Sequence, residues 1–460
     1  MDFSFERASG IGEFLRFRGN PLEYVAQAGR RGVDIRSIHF LGRSIFQVNH
    51  PELIRDVLVT HDWNFVKGRG LRASRPVLGD GLLTSEGELH RRQRRLVQPA
   101  FHGARLQGYG RTMAACAWAV SNSWHDGAVI AVDQAMMRLT LEIVGRTLFS
   151  ADLGNAADGI GASLTRALGL FLKLNHPVTQ LIAPLRSRME RKARKSRREI
   201  EVVLRRVIDE HRTDSGIDDM LSMMMHSSDD ANTGFMSDEL LLDESLTLFL
   251  AGHETTANAL TWTWHLLGQN CAVEEKLHAE LDTVLAGRAP DPDDLPRLRY
   301  TECIFRESLR LFPPAWVIGR EAVTDYRLGP VPVPAGSTLL LSPYAVHRDQ
   351  RWWSDADTFR PERWLEADAS RPRFAFFPFG AGTRVCIGEH FAMMEGVLLL
   401  ATLAQQWRLR PIPGPKVEMW PQITLRPRRA MQMQLDRRPP RVVIAPAPAD
   451  AAQVRETIGT

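Results

Sequence analysis

Phe379-Gly380-Ala381-Gly382-Thr383-Arg384-Val385-Cys386-Ile387-Gly388 is the stretch on which the reading of this chain turns. It joins a lone cysteine to flexible glycines, to a fixed cation two residues upstream and to an apolar run that begins just after it. A thiolate is a strong ligand for a transition metal, and it survives where a positive field or the metal itself holds its pKa down. Glycines ahead of the sulfur let the backbone turn tightly and approach a flat object closely. A helix beginning near Gly388 would aim its first N–H groups at the sulfur and favour negative charge there. A single cysteine beside glycines is ordinarily a buried structural residue. Here each fixed position has its own physical task, which favours a ligand. Gly380-x-Gly382 lacks the third glycine of a dinucleotide loop, and no strand–glycine–helix context with a downstream acid accompanies it.

The rest of the chain is consistent with a large globular protein. It has 460 residues, 44% hydrophobic and 24% charged, with a formal net charge of +4. That charge is too small to imply nucleic acid. Cys116, Cys271, Cys303 and Cys386 are scattered without a C-x-x-C pair, which excludes an obvious zinc or iron–sulfur site and a secreted disulfide framework. The N-terminus shows neither a signal-peptide core nor a membrane-length apolar run, so a soluble cytoplasmic protein without an anchor is expected. No flavin or NAD fingerprint suggests a fused reductase. Residues 1–436 are expected to form one domain, and 437–460, rich in Pro and Ala, a poorly ordered tail.

Long helical patterns dominate. Val323–Leu341 and Pro411–Leu435 read as small strands with hairpins, giving a mainly α class with a minor β region. A basic run over Arg186–Arg198 reads as the solvated face of a long helix. Ser237-Asp238-Glu239 opens a long apolar helix, with Ser237 as N-cap and two acids in the first turn. It is expected to run to about Leu267, roughly 45 Å at ~1.5 Å per residue. Ala251-Gly252-His253-Glu254-Thr255-Thr256 lies in its middle, where polar groups cost free energy unless paired or functional. Leu248, Ala251, Gly252, Thr255 and Ala259 share one face. Thr255 is placed to bond back to the Ala251 carbonyl and distort the helix, making room for a diatomic molecule and a water. A zinc-peptidase reading of His253-Glu254 fails, because the second histidine would fall at Ala257. Further on, Glu307 and Arg310 share a face of a helix that must end before Pro313-Pro314, and Phe359-Arg360-Pro361-Glu362-Arg363-Trp364 supplies another arginine.

These motifs, in this order, resemble those of cytochromes P450 over roughly residues 20–435. The cysteine stretch matches F-x-x-G-x-R-x-C-x-G, the helix matches A-G-x-E-T-T, and the last two segments resemble E-x-x-R and P-E-R-F, with Trp364 for the usual Phe. The resemblance implies the P450 fold, with haem b between the long central helix and the cysteine-loop helix and Cys386 as axial thiolate. It further implies Thr255 as a proton-donating alcohol and Glu254 as the acid beside it, His253 facing away, and a Glu307–Arg310–Arg363 triad bracing the cysteine loop. Phe379, Gly380, Gly388 and Ala251 would border the cofactor. Arg384, and by a variant of W-x-x-x-R also His90 and Arg94, would bind its carboxylates, with Arg320 as a further contact. Val77, Leu78, Leu248, Trp316, Val317, Ile318, Gln422 and Ile423 fall at substrate-pocket positions. Leu170–Leu174 with Leu181-Ile182 would cover the entrance, and Arg69, Arg72 and Arg75 are read as solvent-facing. The implied activity is O2-dependent hydroxylation or epoxidation of a hydrophobic small molecule such as a fatty acid, terpenoid or polyketide. Electrons would come from a separate ferredoxin or flavodoxin with its reductase, steered by Arg91, Arg92 and Arg95. The rivals are a haem-thiolate peroxygenase, isomerase or dehydratase without external electrons, and a haem-based sensor or carrier.

Overall fold

The computed structural model describes residues 3–439, with residues 41, 215, 227–235 and 367 outside the description and 153–182 described only at scattered positions. The apolar stretches at 170–174 and 181–182, and the tail from 440, lie outside the described residues. The principal helices are α1 (Gly87–Val97), α2 (Gly103–Ser123), α3 (Val132–Leu148), α4 (Ala183–Thr213), α5 (Asp238–Leu267), α6 (Cys271–Val284), α7 (Arg299–Leu311) and α8 (Glu389–Gln406).

Helix α5 is the axle. Ser237 caps it, its side chain accepting from the Leu240 N–H at 3.3 Å, and Asp238 and Glu239 sit in the first turn. No proline interrupts its 30 residues, and it is buried nearly all round against α3, α4, α7 and α8, as befits a helix through the middle of a large core. Gly252 brings α3 close, since a Cβ there would stand 2.9 Å from a Val144 methyl. Phe149 stacks on Phe249 at 4.2 Å and Phe312 on Trp262 at 4.4 Å. On α4, the side chains of Arg191, Lys192, Arg194, Lys195 and Arg198 are exposed while Ala193, Ser196 and Ile200 are buried, so this part of the basic run is a solvated face.

The β region is larger than the sequence suggests. One sheet has the order β1-β2-β3-β9-β6-β4, from β1 (Phe5–Ser9), β2 (Ile35–Phe40), β3 (Arg43–Val48), β4 (Phe65–Lys67), β6 (Ile318–Ala322) and β9 (Thr338–Leu341). β3 runs parallel to β9, and β4 pairs antiparallel with β6 so that Lys67 faces Arg320. A hairpin of β7 (Tyr326–Leu328) and β8 (Val331–Val333) lies beside it in sequence. A second sheet joins β5 (Val129–Ala131), β10 (Trp407–Pro411) and β13 (Gln432–Arg437). The remaining hairpin, β11 (Met419–Pro421) with β12 (Leu425–Pro427), sets Trp420 opposite Arg426. Strand β13 takes in Arg437, and Arg438 bridges to Asp282 at 3.0 Å, so the chain stays attached two residues past the expected domain end at 436.

Candidate active site

The cysteine loop is fixed by its own backbone. Gly380 N–H donates to Phe377 O at 3.0 Å, Val385 N–H to Gly382 O at 3.1 Å and Cys386 N–H to Phe379 O at 2.9 Å. Gly380 and Gly382 have φ of 71° and 70°, a region open to glycine at no steric cost. Gly382 also packs face-on against the Leu58 carbonyl, where a Cβ would overlap the oxygen. Thr383 Oγ1 donates to Asp62 at 2.6 Å, fastening the loop from outside.

Cys386 presents surface to an adjoining cavity, yet protein atoms crowd it from the other sides, and burial pushes its thiol up to about 11. The Gly388 N–H and the Arg94 guanidinium pull the other way and are outweighed. The cation expected two residues upstream, Arg384, turns instead to Glu86, with Nη2 2.7 Å from Oε2.

Three cations and a histidine gather around one carboxylate beside this loop. Glu86 accepts from Arg384 and from the Lys67 backbone N–H. Lys67 is buried with Nζ on Leu82 O at 2.8 Å and Ser85 O at 2.5 Å, and burial lowers it to about 7. Arg320 is buried, its Nη1 on Gly319 O at 3.0 Å, and desolvation with the neighbouring Arg384 lowers it to about 10. His90 is buried and lowered to about 4 by desolvation, then by Lys67, Arg384 and Arg94. Arg384 Nε is buried without a partner. A cluster so short of negative charge fits a ligand carrying carboxylates. Lys67 and Glu86 were not expected from sequence: no local pattern marks them, and the β4–β6 pairing brings Lys67 to Arg320. Arg94 donates Nη1 to Val385 O at 2.8 Å, which sets it against the cysteine loop.

In the middle of α5 burial is interrupted. Ala251 is exposed and Gly252 and Thr255 are half-buried, while His253, Glu254 and Thr256 are buried. Thr255 Oγ1 donates back to Ala251 O at 2.7 Å, as the sequence predicts. His253 Nδ1 meets Phe249 O at 2.7 Å on the far side. Glu254 is not free: Arg426 Nε reaches its Oε1 at 2.9 Å and Nη2 at 2.5 Å, and Thr424 Oγ1 donates to the same oxygen.

The family model for cytochrome P450 matches residues 5–433. The chain is 40% identical to cyclooctatin synthase of Streptomyces melanosporofaciens, over 90% of this chain and 91% of the relative. It is 35% identical to cyclooctat-9-en-7-ol 5-monooxygenase of the same organism, over 88% of each, and 36% identical to pentalenene oxygenase of Streptomyces avermitilis, over 94% and 96%. This chain is a cytochrome P450.

As a P450 monooxygenase it belongs to a family that uses haem with a thiolate ligand and O2. Among the described residues, no helix of this P450 is long and apolar enough to cross a membrane. Glu307 is fully buried and receives five donors: Arg310 Nη2 at 2.8 Å, Arg363 Nε at 2.9 Å and Arg360 N at 3.0 Å on Oε1, Arg310 Nε and Trp364 Nε1 at 2.9 Å on Oε2. Trp364 thus supplies a donor that a phenylalanine lacks. Arg69 and Arg72 pair with Glu321 at 2.5 and 2.7 Å, so they are engaged and not simply solvated.

Of the pocket positions, Val317, Ile318 and Ile423 are half-buried, and Ile318 Cδ1 comes within 3.6 Å of where a Gly380 Cβ would stand. Val77, Leu78 and Leu248 are buried in the main core. Trp316 packs with Leu22, Val25, Tyr344 and Leu425, its indole N–H on Gln422 O at 2.8 Å, so it backs the wall. A cavity of about 790 Å³ opens beside Cys386, with Arg94, Phe101, Leu106, His390 and Met393 in its lining. Neither Ala251 nor Thr255 borders it, which separates it from the Ala251–Thr255 turn.

Proposed function

We propose that this P450 binds haem b through Cys386 and hydroxylates or epoxidises a terpenoid hydrocarbon or alcohol, taking electrons from a separate ferredoxin or flavodoxin. The observation that carries this is the uncovered Ala251–Thr255 turn in an otherwise buried helix, in the same fold as a thiol with a carboxylate-seeking cation cluster beside it. The terpenoid class is taken from the names of cyclooctat-9-en-7-ol 5-monooxygenase and pentalenene oxygenase; the largely apolar residues at the pocket positions suit it.

Arg384, Lys67, Arg320 and His90 would hold the haem carboxylates, with Arg94 bracing the loop and acting on the sulfur. Phe379, Gly380 and Gly388 would border the ring on the cysteine side and Ala251 on the other. When bound, the haem supplies oxygen activation and attack on the C–H bond, with electron density pushed from the sulfur. The chain's own part is positional. Thr255 Oγ1, held on the Ala251 carbonyl, presents its oxygen at the uncovered turn and can pass a proton inward. Glu254 is the adjacent acid, and Val317, Ile318 and Ile423 exclude water and orient the substrate. The cavity beside Cys386 offers an approach to the sulfur for an electron partner. Arg91 and Arg95 stand near it on α1, both reaching Glu88, at 2.5 and 3.9 Å, which tempers their positive field.

The test has two steps. Reduced with dithionite under carbon monoxide, the folded protein should show a Soret band far to the red of that of a histidine-ligated haem. It should then oxygenate a sesquiterpene or diterpene with NAD(P)H and surrogate redox proteins. Turnover of such a compound with peroxide and none with NAD(P)H and redox proteins would replace the monooxygenase reading by a peroxygenase.

A further inference from the structure

The β11–β12 hairpin ties two parts of the site together. Its tip carries Gln422 and Ile423, with Gln422 O held by the Trp316 indole and Gln422 N–H on Thr424 O at 3.1 Å. Its second arm is anchored by Leu425 N–H on Pro314 O at 2.9 Å and by the Trp262 indole on Leu425 O at 3.0 Å. From that arm Thr424 and Arg426 reach Glu254, and all three donors converge on Oε1. Asn258 Nδ2 donates to Thr424 Oγ1 at 3.2 Å and Arg426 Nε at 3.4 Å, so this hydroxyl accepts from helix and hairpin and points its own proton at the acid. The Glu254 side chain is 3% exposed and that of Arg426 11%, so the pair runs from the buried turn toward the hairpin surface.

We propose that Thr424 is a further hydroxyl in the proton route to Thr255, and that Arg426 is the positioning residue that holds Glu254 in line with it. When a water takes the place of one of these N–H donors, the proton it delivers to Thr424 Oγ1 would displace that group's own proton onto Glu254 Oε1. Glu254 would then pass a proton toward Thr255 and return to the carboxylate, so the chain of groups ends as it began, with solvent as the source. The hairpin that walls the substrate pocket would thus also set the acid's orientation. This rests on the reading of Thr255 and Glu254 given above. The competing account is that the contacts merely pin the hairpin to α5.

The experiment uses holoenzyme with NADPH and a surrogate ferredoxin and reductase, comparing Thr424→Val, Thr424→Ser, Arg426→Gln and Glu254→Gln. Thr424→Val should cut product formed per electron consumed by about 10², send those electrons to released peroxide and enlarge the solvent isotope effect. Thr424→Ser should restore wild-type behaviour. Infrared difference spectra should show the Glu254 carboxylate band shifted in Thr424→Val and Arg426→Gln and missing in Glu254→Gln. Thr424→Val keeps the Arg426 ion pair and so tests the idea even if Arg426→Gln fails to fold. Wild-type partitioning and isotope effect in Thr424→Val would overturn the proposal. A wild-type holoenzyme that consumes no electrons would instead overturn the monooxygenase reading beneath it.

Discussion

At the scale of single residues, the two loop glycines look equivalent in sequence and are not equivalent in space. Both sit at positive φ, where an added Cβ costs about 1–2 kcal/mol. Gly380 has room, its nearest neighbour being Ile318 Cδ1 at 3.6 Å, whereas at Gly382 the new methyl would fall on the Leu58 carbonyl. Gly380→Ala should therefore lower stability by about 1–2 kcal/mol, and Gly382→Ala by clearly more because backbone must move. Urea melts together with haem retention on a desalting column would check that order, and equal losses would mean the Leu58 contact is not rigid. Thr255 offers a chemical counterpart. Its hydroxyl is half-buried, bonded to its own helix and borders the exposed Ala251. Thr255→Ala should leave the melting temperature within a few degrees of wild type. Product per electron consumed should fall by about 10² if the hydroxyl acts in proton transfer, and unchanged coupling would leave the residue a structural one.

At the scale of elements, the α7 end and the segment after it are joined through Glu307. One carboxylate with five donors and no solvent is a network in which removing the charge strands two arginines. Glu307→Gln should cost about 3–5 kcal/mol and shed haem, whereas Trp364→Phe, which deletes one donor to a charged group, should cost about 1.5–3 kcal/mol. Chemical denaturation of both variants would show the ranking. Local spacing showed only the Glu307–Arg310 pair, one turn apart; Arg363, 56 residues on, joined it through the resemblance to the family's motifs. The α5 cap, its length and the Thr255 back-bond were legible from local spacing as well. What stayed hidden is non-local. Strand β3 pairs with β9 across about two thirds of the chain's length, and β4 finds β6, so neither the six-stranded sheet nor the meeting of Lys67 with Arg320 leaves a mark in any window of residues. Arg426 was invisible as the partner of Glu254 by the same logic.

At the scale of the whole molecule, the buried charges favour different pH ranges. Burial pushes Glu244 and Glu395, both inaccessible to solvent, up from 4.5 to about 8. The unfolded chain releases these protons from about pH 4.5 while the fold keeps them, so their contribution is full below that point and is lost as pH climbs to about 8. His90 and His278, lowered to about 4 and about 3 by burial, act the opposite way, and their effect is complete by their ordinary 6.5. Lys67, lowered to about 7, favours the fold again only as pH rises from there toward 10.5. A descent in stability should therefore stand out just above pH 6.5, flattening beyond pH 7 as Lys67 compensates. Glu395 belongs to no part of the proposed chemistry, which makes Glu395→Gln a clean probe. It should flatten the descent by about 1.4 kcal/mol per pH unit and make the protein more stable than wild type at pH 8, read from denaturant midpoints across a pH series. An unaltered slope in that variant would mean that Glu395 already ionises within the core, with water or the Thr256 hydroxyl solvating it.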